Sequence, residues 1–254
     1  MSEAASMGKV LLVTGGSRGI GAATALLAAE AGYDVAVHYR SEKGAAEEVA
    51  GRAKALGRRA MAFPADLTDE GDIVRLFDAV AEEFGRLDAV ANNAGTITPV
   101  SRLEDMDADR LDYIMRVNVI GAFLCAREAV KHMSTRHGHH GGAIVNTSSA
   151  AARLGSPGEF IDYAASKGAV DTLTIGLAKE VAEDGIRVNA VRPGLILTDI
   201  HAAAGAADRP ERLSGGVPMK RAGTAEEVAE AILWLLSDRA SYVTGVLFDV
   251  TGGR

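Results

Sequence analysis

Short apolar runs alternate along this chain with longer stretches whose apolar positions recur at helical spacing. The first run, Lys9–Thr14 (KVLLVT), is rich in β-branched residues and stops at Gly15–Gly16. Runs of that kind read as strands buried on both faces. Ile20–Ala31 is rich in the helix formers Ala and Leu, and Gly32 follows it where a left-handed residue closes a helix. The alternation goes on to predict strand Asp34–Tyr39, helix Glu42–Leu56 ending at Gly57, strand Ala60–Ala65, helix Asp69–Phe84 and strand Leu87–Asn92. A long helix from Asp107 to Thr135, strand Ala143–Thr147 and helix Tyr163–Glu183 come next. Strand Arg187–Val191, helix Thr224–Leu236 and strand Gly245–Val250 complete the pattern. Seven strands separated by helices predict an α/β fold, a doubly wound parallel sheet covered on both faces.

The connections are short and show no linker, repeat or low-complexity tract, so residues 1–254 are read as one domain. The exception is Leu195–Ala222, rich in Gly, Ala, Asp and Arg. A loop that long inside a compact domain is usually functional, and a substrate lid at about 195–222 is expected; the alternative is a surface excursion.

Composition narrows the class. Asp and Glu total 34 against 27 Lys and Arg, a formal charge of −7, which argues against nucleic-acid binding through phosphate neutralisation. With Phe 6, Tyr 5 and Trp 1, a base-stacking platform is not expected either. The single cysteine, Cys125, suits a reducing compartment. No apolar stretch approaches the roughly 18 residues of a membrane helix, and Met1–Gly8 lacks the build of a signal peptide. A cytoplasmic protein without membrane or nucleic-acid partners is the expectation.

Between the first strand and first helix stands Thr14-Gly15-Gly16-Ser17-Arg18-Gly19-Ile20-Gly21. That is where an open α/β sheet binds a dinucleotide: glycines allow close approach, and the helix N-terminus attracts pyrophosphate. The second strand ends His38-Tyr39-Arg40-Ser41, without the carboxylate that usually holds the ribose hydroxyls of NAD. Arg40 and Arg18 suit a 2′-phosphate instead, since guanidinium matches phosphate oxygens bidentately; the alternative is two solvated surface arginines.

With these motifs in order, the chain resembles the short-chain dehydrogenase/reductase family from Gly8 to Gly253. The glycine turn matches its T-G-x-x-x-G-x-G, which implies cofactor contacts at Gly15, Ser17, Arg18, Gly19, Ile20 and Gly21. Asp66-Leu67 falls where the family sets an Asp against adenine, and Asn92-Asn93-Ala94-Gly95 matches N-N-A-G beside the adenosine ribose. Arg192-Pro193-Gly194 ends the sixth strand, and Thr198 resembles the Thr that touches pyrophosphate and carboxamide; Ile196 lies between them. Asn118, a serine at Ser148-Ser149 and the pair in Tyr163-Ala164-Ala165-Ser166-Lys167 match the family's catalytic set. The resemblance implies a Rossmann-type sheet, NADP(H) in preference to NAD(H), a small carbonyl or alcohol substrate and a homotetramer.

The chemistry explains these residue types independently. Tyr163 and Lys167 are four residues apart and share a helix face. A nearby ammonium and a cationic nicotinamide favour the phenolate, which draws the tyrosine toward the working range of an acid/base. A serine hydroxyl polarises the same substrate oxygen. Asn118 would hold a water relaying protons from Lys167, as the family implies. The family places its serine 13 residues before the tyrosine, where this chain has Ala150; Ser149 is assigned, with one extra residue in the loop 150–162, and Ser148 is the alternative. Arg153, Glu159 and Phe160 in that loop are candidates for the substrate wall.

His132, His137, His139 and His140 crowd one region, but it joins a helix to the fifth strand at the edge away from ligands, so no metal site is expected. Three functions compete. One is a 3-oxoacyl-thioester reductase, for which Arg209, Arg212, Lys220 and Arg221 offer a basic lid to an acidic carrier. Another is a sugar or polyol dehydrogenase resembling glucose 1-dehydrogenase. The third, a non-catalytic NADP(H) sensor, would not need the Tyr163–Lys167 pair that this chain keeps.

Overall fold

The computed structural model describes residues 8–254; the opening residues 1–7, where no leader is expected, lie outside them. Seven strands, β1 (Val10–Val13), β2 (Asp34–Tyr39), β3 (Ala60–Pro64), β4 (Ala89–Asn92), β5 (Gly142–Thr147), β6 (Ile186–Pro193) and β7 (Leu247–Val250), form one sheet in the order β3-β2-β1-β4-β5-β6-β7. Every pairing is parallel. The order reverses between β1 and β4, and that switch point opens the crevice in which doubly wound sheets hold ligands.

Both faces of the central strands are buried, as their unbroken apolar runs require, while the edge strands β3 and β7 are partly exposed. Leu11 and Val13 point to a core shared with α1 (Gly19–Glu30), α2 (Lys43–Ala55) and α10 (Ala225–Leu236). Val10 and Leu12 point to the other, shared with α3 (Glu70–Phe84), α5 (Gly121–Met133) and α7 (Ile161–Glu180). Helix ends obey local chemistry. Asp69 accepts from Asp72 N at the start of α3, Gly85 closes it at φ 76°, and Thr224 with Glu227 forms a capping box on α10.

The structure corrects the long helix expected from Asp107 to Thr135. It is three pieces: α4 (Ala108–Met115), a π-helical turn over Arg116–Ile120, and α5. Such a turn inserts a residue and re-aims one side chain, here Asn118. Three more short helices were not legible, α6 (Ala151–Leu154) and, within the irregular stretch, α8 (Ile200–Ala203) and α9 (Arg209–Ser214).

Candidate active site

The turn after β1 is built to admit a ligand. Gly15 and Gly19 adopt φ 63° and 54°, a region costly for any residue with a Cβ. A Cβ on Gly21 would stand 2.1 Å from the Gly15 carbonyl, so only glycine lets α1 start this close to the turn. The first turn of α1 has no side-chain cap, which leaves its N–H groups and positive dipole end to a ligand. Thr14 Oγ1 accepts from Asn93 N (2.9 Å) and Ala94 N (3.0 Å), tying this turn to the one after β4. Asn93 Nδ2 donates back to the Thr14 carbonyl, and Thr147 Oγ1 donates to Asn93 Oδ1.

At the end of the cleft beside β2, Arg40 is exposed and its Nη1 donates to the Tyr113 hydroxyl at 3.4 Å. The Asp66 carboxylate accepts from the Thr68 N–H and hydroxyl, which holds it below the usual carboxylate range. Arg18 is exposed at the mouth of the turn, and Thr198 leans over Gly19.

Toward the other end, α7 carries Tyr163 and Lys167 one turn apart, with the Lys167 ammonium 5.6 Å from the Tyr163 ring centre. Lys167 is 4% exposed and its Nζ donates to the Thr147 carbonyl at 2.8 Å. Burial pulls its pKa down to about 8, against the opposing charge of Asp171. Ser149 stands close enough to the Tyr163 phenol to lower its pKa, whereas the Ser148 hydroxyl donates to the Lys167 carbonyl at 3.1 Å. The expectation of a lowered phenol pKa is not met in the chain by itself. Burial pushes the phenol up, and Ser149 and the Arg209 charge oppose it only in part.

Asn118 is 1% exposed. Its Nδ2 donates to the Thr96 carbonyl (2.9 Å) and Ser166 Oγ (3.1 Å), while Oδ1 accepts from Thr96 N (2.8 Å). Both amide hydrogens are committed, and one lone pair on Oδ1 is left for a relay. That oxygen and Lys167 Nζ both border Gly95, where a Cβ would lie 3.3 Å from each.

One cavity of about 340 Å³ runs along the strand ends and gathers the expected residues from Gly15, Ser17, Arg18, Gly19 and Ile20 through Arg40, Asp66 and Leu67. It continues past Asn93, Ala94 and Gly95 to Ser149, Tyr163 and Lys167, and is closed by Pro193, Gly194, Ile196 and Thr198. Gly21 and Asn118 stand behind its wall. His38, Tyr113, Val117, Ile97 and Ile200 also line it and were not foreseen. Tyr113 and Val117 had a signal, the four-residue offset that sets both on one side of α4 as it runs into the Asn118 turn.

The three wall candidates do not line this cavity. Phe160 is buried, Arg153 pairs with Asp249 and the Arg254 carbonyl, and Glu159 pairs with Arg209 at 2.8 Å. The lid cations are likewise committed: Arg212 to Glu159 and Asp208, Arg221 to Glu227, and Lys220 to the Gly215 carbonyl. In the histidine-rich region, His132 Nδ1 meets the Glu128 carbonyl and Nε2 faces Asp78. No group of three or more His, Cys, Asp or Glu among the described residues is arranged to hold a metal.

A family model described as enoyl-(acyl carrier protein) reductase matches residues 15–254. An uncharacterized oxidoreductase of Escherichia coli, YgfF, is 54% identical over 96% of this chain and 99% of its own length. A short chain dehydrogenase from Burkholderia cenocepacia, solved in complex with NADP, is 36% identical with a TM-score of 0.89, covering 97% of this chain and 98% of that one. A 3-ketoacyl-(acyl-carrier-protein) reductase from Brucella melitensis, complexed with NADH, is 33% identical with the same TM-score of 0.89 and the same coverage, 97% and 98%. Likeness over the whole length, joined to a dinucleotide crevice with a Ser, Tyr and Lys at its far end, leads to one conclusion. The chain belongs to the short-chain dehydrogenase/reductase family and is an NAD(P)-dependent oxidoreductase acting on carbonyl and CH–OH groups.

Proposed function

We propose that this enzyme prefers NADP(H) and reduces a ketone to a secondary alcohol with Tyr163 as the proton donor. The observation that carries the reading is the convergence of Ser149, Tyr163 and Lys167 at one end of the glycine-turn cleft. The nicotinamide cofactor, when bound, supplies the hydride. Tyr163, a neutral phenol at neutral pH because burial raises its pKa, holds the proton that the new alkoxide needs. Ser149 donates to the same oxygen, and Lys167 orients the phenol and carries positive charge beside it. Asn118 keeps the loop after β4 in place through both polar atoms of the Thr96 backbone. Residues 195–222 act as the lid, with α9 latched to the loop before α7 by Arg209–Glu159.

Ile97, Ile196 and Ile200 give the cavity an apolar wall. Such a wall suits a ketone flanked by hydrocarbon, as in a 3-oxoacyl thioester, and leaves the hydroxyls of a sugar without partners. Because the lid cations are paired internally, short thioesters of coenzyme A are the substrate to test first. Oxidation of NADPH by acetoacetyl-CoA without turnover of glucose is the expected result, and the converse would overturn the substrate assignment.

The serine assignment is tested directly. Ser149→Ala should lower kcat/KM by roughly 10²-fold, the value of one donor at a developing oxyanion, and Ser148→Ala much less. The reverse ranking would transfer the role to Ser148.

NADP preference rests on the absent carboxylate after β2 and on Arg40 and Arg18 at the adenosine end. A charge-assisted pair contributes about 1.5–3 kcal/mol, or roughly 10- to 150-fold in affinity, and the exposure of Arg40 draws the value to the low end. At matched concentrations NADPH should therefore raise Tm more than NADH does, less so in high salt. Arg40→Asp should narrow or invert the difference while NADH still binds. Equal shifts from both cofactors in the unmodified protein would refute the preference.

A further inference from the structure

His38 is a polar residue inside a strand buried along its whole length, and only 2% of it is exposed. Both ring nitrogens have backbone partners from different turns. The Gly15 N–H donates to Nδ1 at 3.0 Å, and Nε2 lies 3.1 Å from the Ala65 carbonyl. A backbone N–H can only donate, so Nδ1 must be bare; a carbonyl can only accept, so Nε2 must carry the proton. The two partners together allow a single neutral tautomer. Gly15 opens the turn after β1 and sits at φ 63°, while Ala65 precedes Asp66, and Gly15 and Asp66 both line the cleft.

We propose that His38 is a positioning residue for cofactor binding, holding the turn after β1 to the end of β3 through its neutral Nε2–H tautomer. No cofactor atom needs to touch the ring. Its effect is to aim the Gly15 N–H into the strand, which fixes the peptide plane on which the left-handed turn is built. A protonated ring would set an Nδ1–H against the Gly15 N–H, two donors face to face with no acceptor between them. Binding therefore depends on the uncharged ring.

The charges around the ring set the sense of its pH response. The end of β3 presents Asp66, whose carboxylate favours the cation. The strand β1 and the turn residues Thr14 to Ser17 carry no titratable side chain, and nor does β3. Burial outweighs Asp66 and keeps the ring below the ordinary 6.5, so it is neutral at neutral pH. Apparent affinity falls in proportion to the neutral fraction, so it is lost as pH drops through the ring's pKa.

NADH is the right probe, because the 2′-phosphate of NADPH itself titrates near pH 6 and would mask the ring. Binding of NADH is also independent of the proposed NADP preference. His38→Asn keeps an acceptor near the place of Nδ1 and cannot be protonated in this range. His38→Phe keeps the volume and leaves the Gly15 N–H unpaired. NADH dissociation constants are measured by fluorescence from neutral pH down to the most acid pH at which the protein stays folded. The expected result is a constant that rises toward acid in the wild type and stays flat in His38→Asn, with roughly tenfold or greater weakening at neutral pH in His38→Phe. An acid limb shared by wild type and His38→Asn, no acid limb in either, or wild-type affinity in a folded His38→Phe overturns the assignment. Should His38→Phe not fold, the comparison of wild type with His38→Asn decides.

Discussion

Tyr163→Phe is expected to lower kcat by about 10²- to 10⁴-fold, the range that a positioned acid/base contributes. The substitution removes one hydroxyl from a ring that stays where it is, so the fold and the cofactor dissociation constant should change little. A loss in kcat with an unchanged KM marks a group that acts in the transition state and not in ground-state binding. The pH profile supplies a second reading. Burial holds the phenol above its ordinary value, so in the reductive direction activity persists through neutral pH and declines only as Tyr163 loses its proton in alkali. That alkaline limb should vanish with the hydroxyl. A variant that turns over within tenfold of wild type would remove Tyr163 from the acid/base role.

Much of this was legible in the sequence because its physical causes are local. Strand β1 is VLLV with every residue buried, and an apolar run closed by two glycines says as much. Gly32, Gly57 and Gly85 all sit at positive φ after a helix, as their positions past the last periodic residue imply. What escaped depends on contacts between distant segments. Residues 116–120 read as ordinary helix, but the Asn118 side chain binds both polar backbone atoms of Thr96, 22 residues earlier, and the helix widens into a π-turn there. His38 was visible as a polar residue in a buried strand, yet its partners on Gly15 and Ala65 come from the segments that follow two other strands. The displaced serine has a similar origin. The short helix α6 occupies the start of the loop 150–162 and Ser149 lies beside the phenol, which supports the proposed place of the extra residue beyond Ser149. Glu159 and Arg153, chosen as wall residues for their chemistry alone, were claimed by Arg209 and Asp249.

Lys167→Met should reduce kcat by a similar factor and yet leave stability close to wild type, a combination that separates catalysis from packing. Methionine matches the length and apolar stem of lysine and removes the charge. The ammonium is buried at the base of the cleft, and its fall from 10.5 to about 8 corresponds to about 3 kcal/mol against the charged form in the folded chain. Removing it relieves that penalty. Against this, the Thr147 carbonyl loses the donor that now lies at 2.8 Å, and an unpaired buried acceptor costs about 1–3 kcal/mol. The two terms are comparable and opposite, so Tm should stay within about 5 °C of wild type. The sign of the pH dependence follows from the same shift. Below pH 8 the folded chain carries the full penalty of the buried cation; between about 8 and 10.5 the unfolded chain binds more protons than the folded one, and the wild type gains stability as pH rises. The variant lacks that gain, so its stability relative to wild type should fall across this window. Loss of kcat accompanied by a Tm drop of well over 10 °C would make Lys167 a structural residue, and retention of kcat would remove it from the reaction altogether.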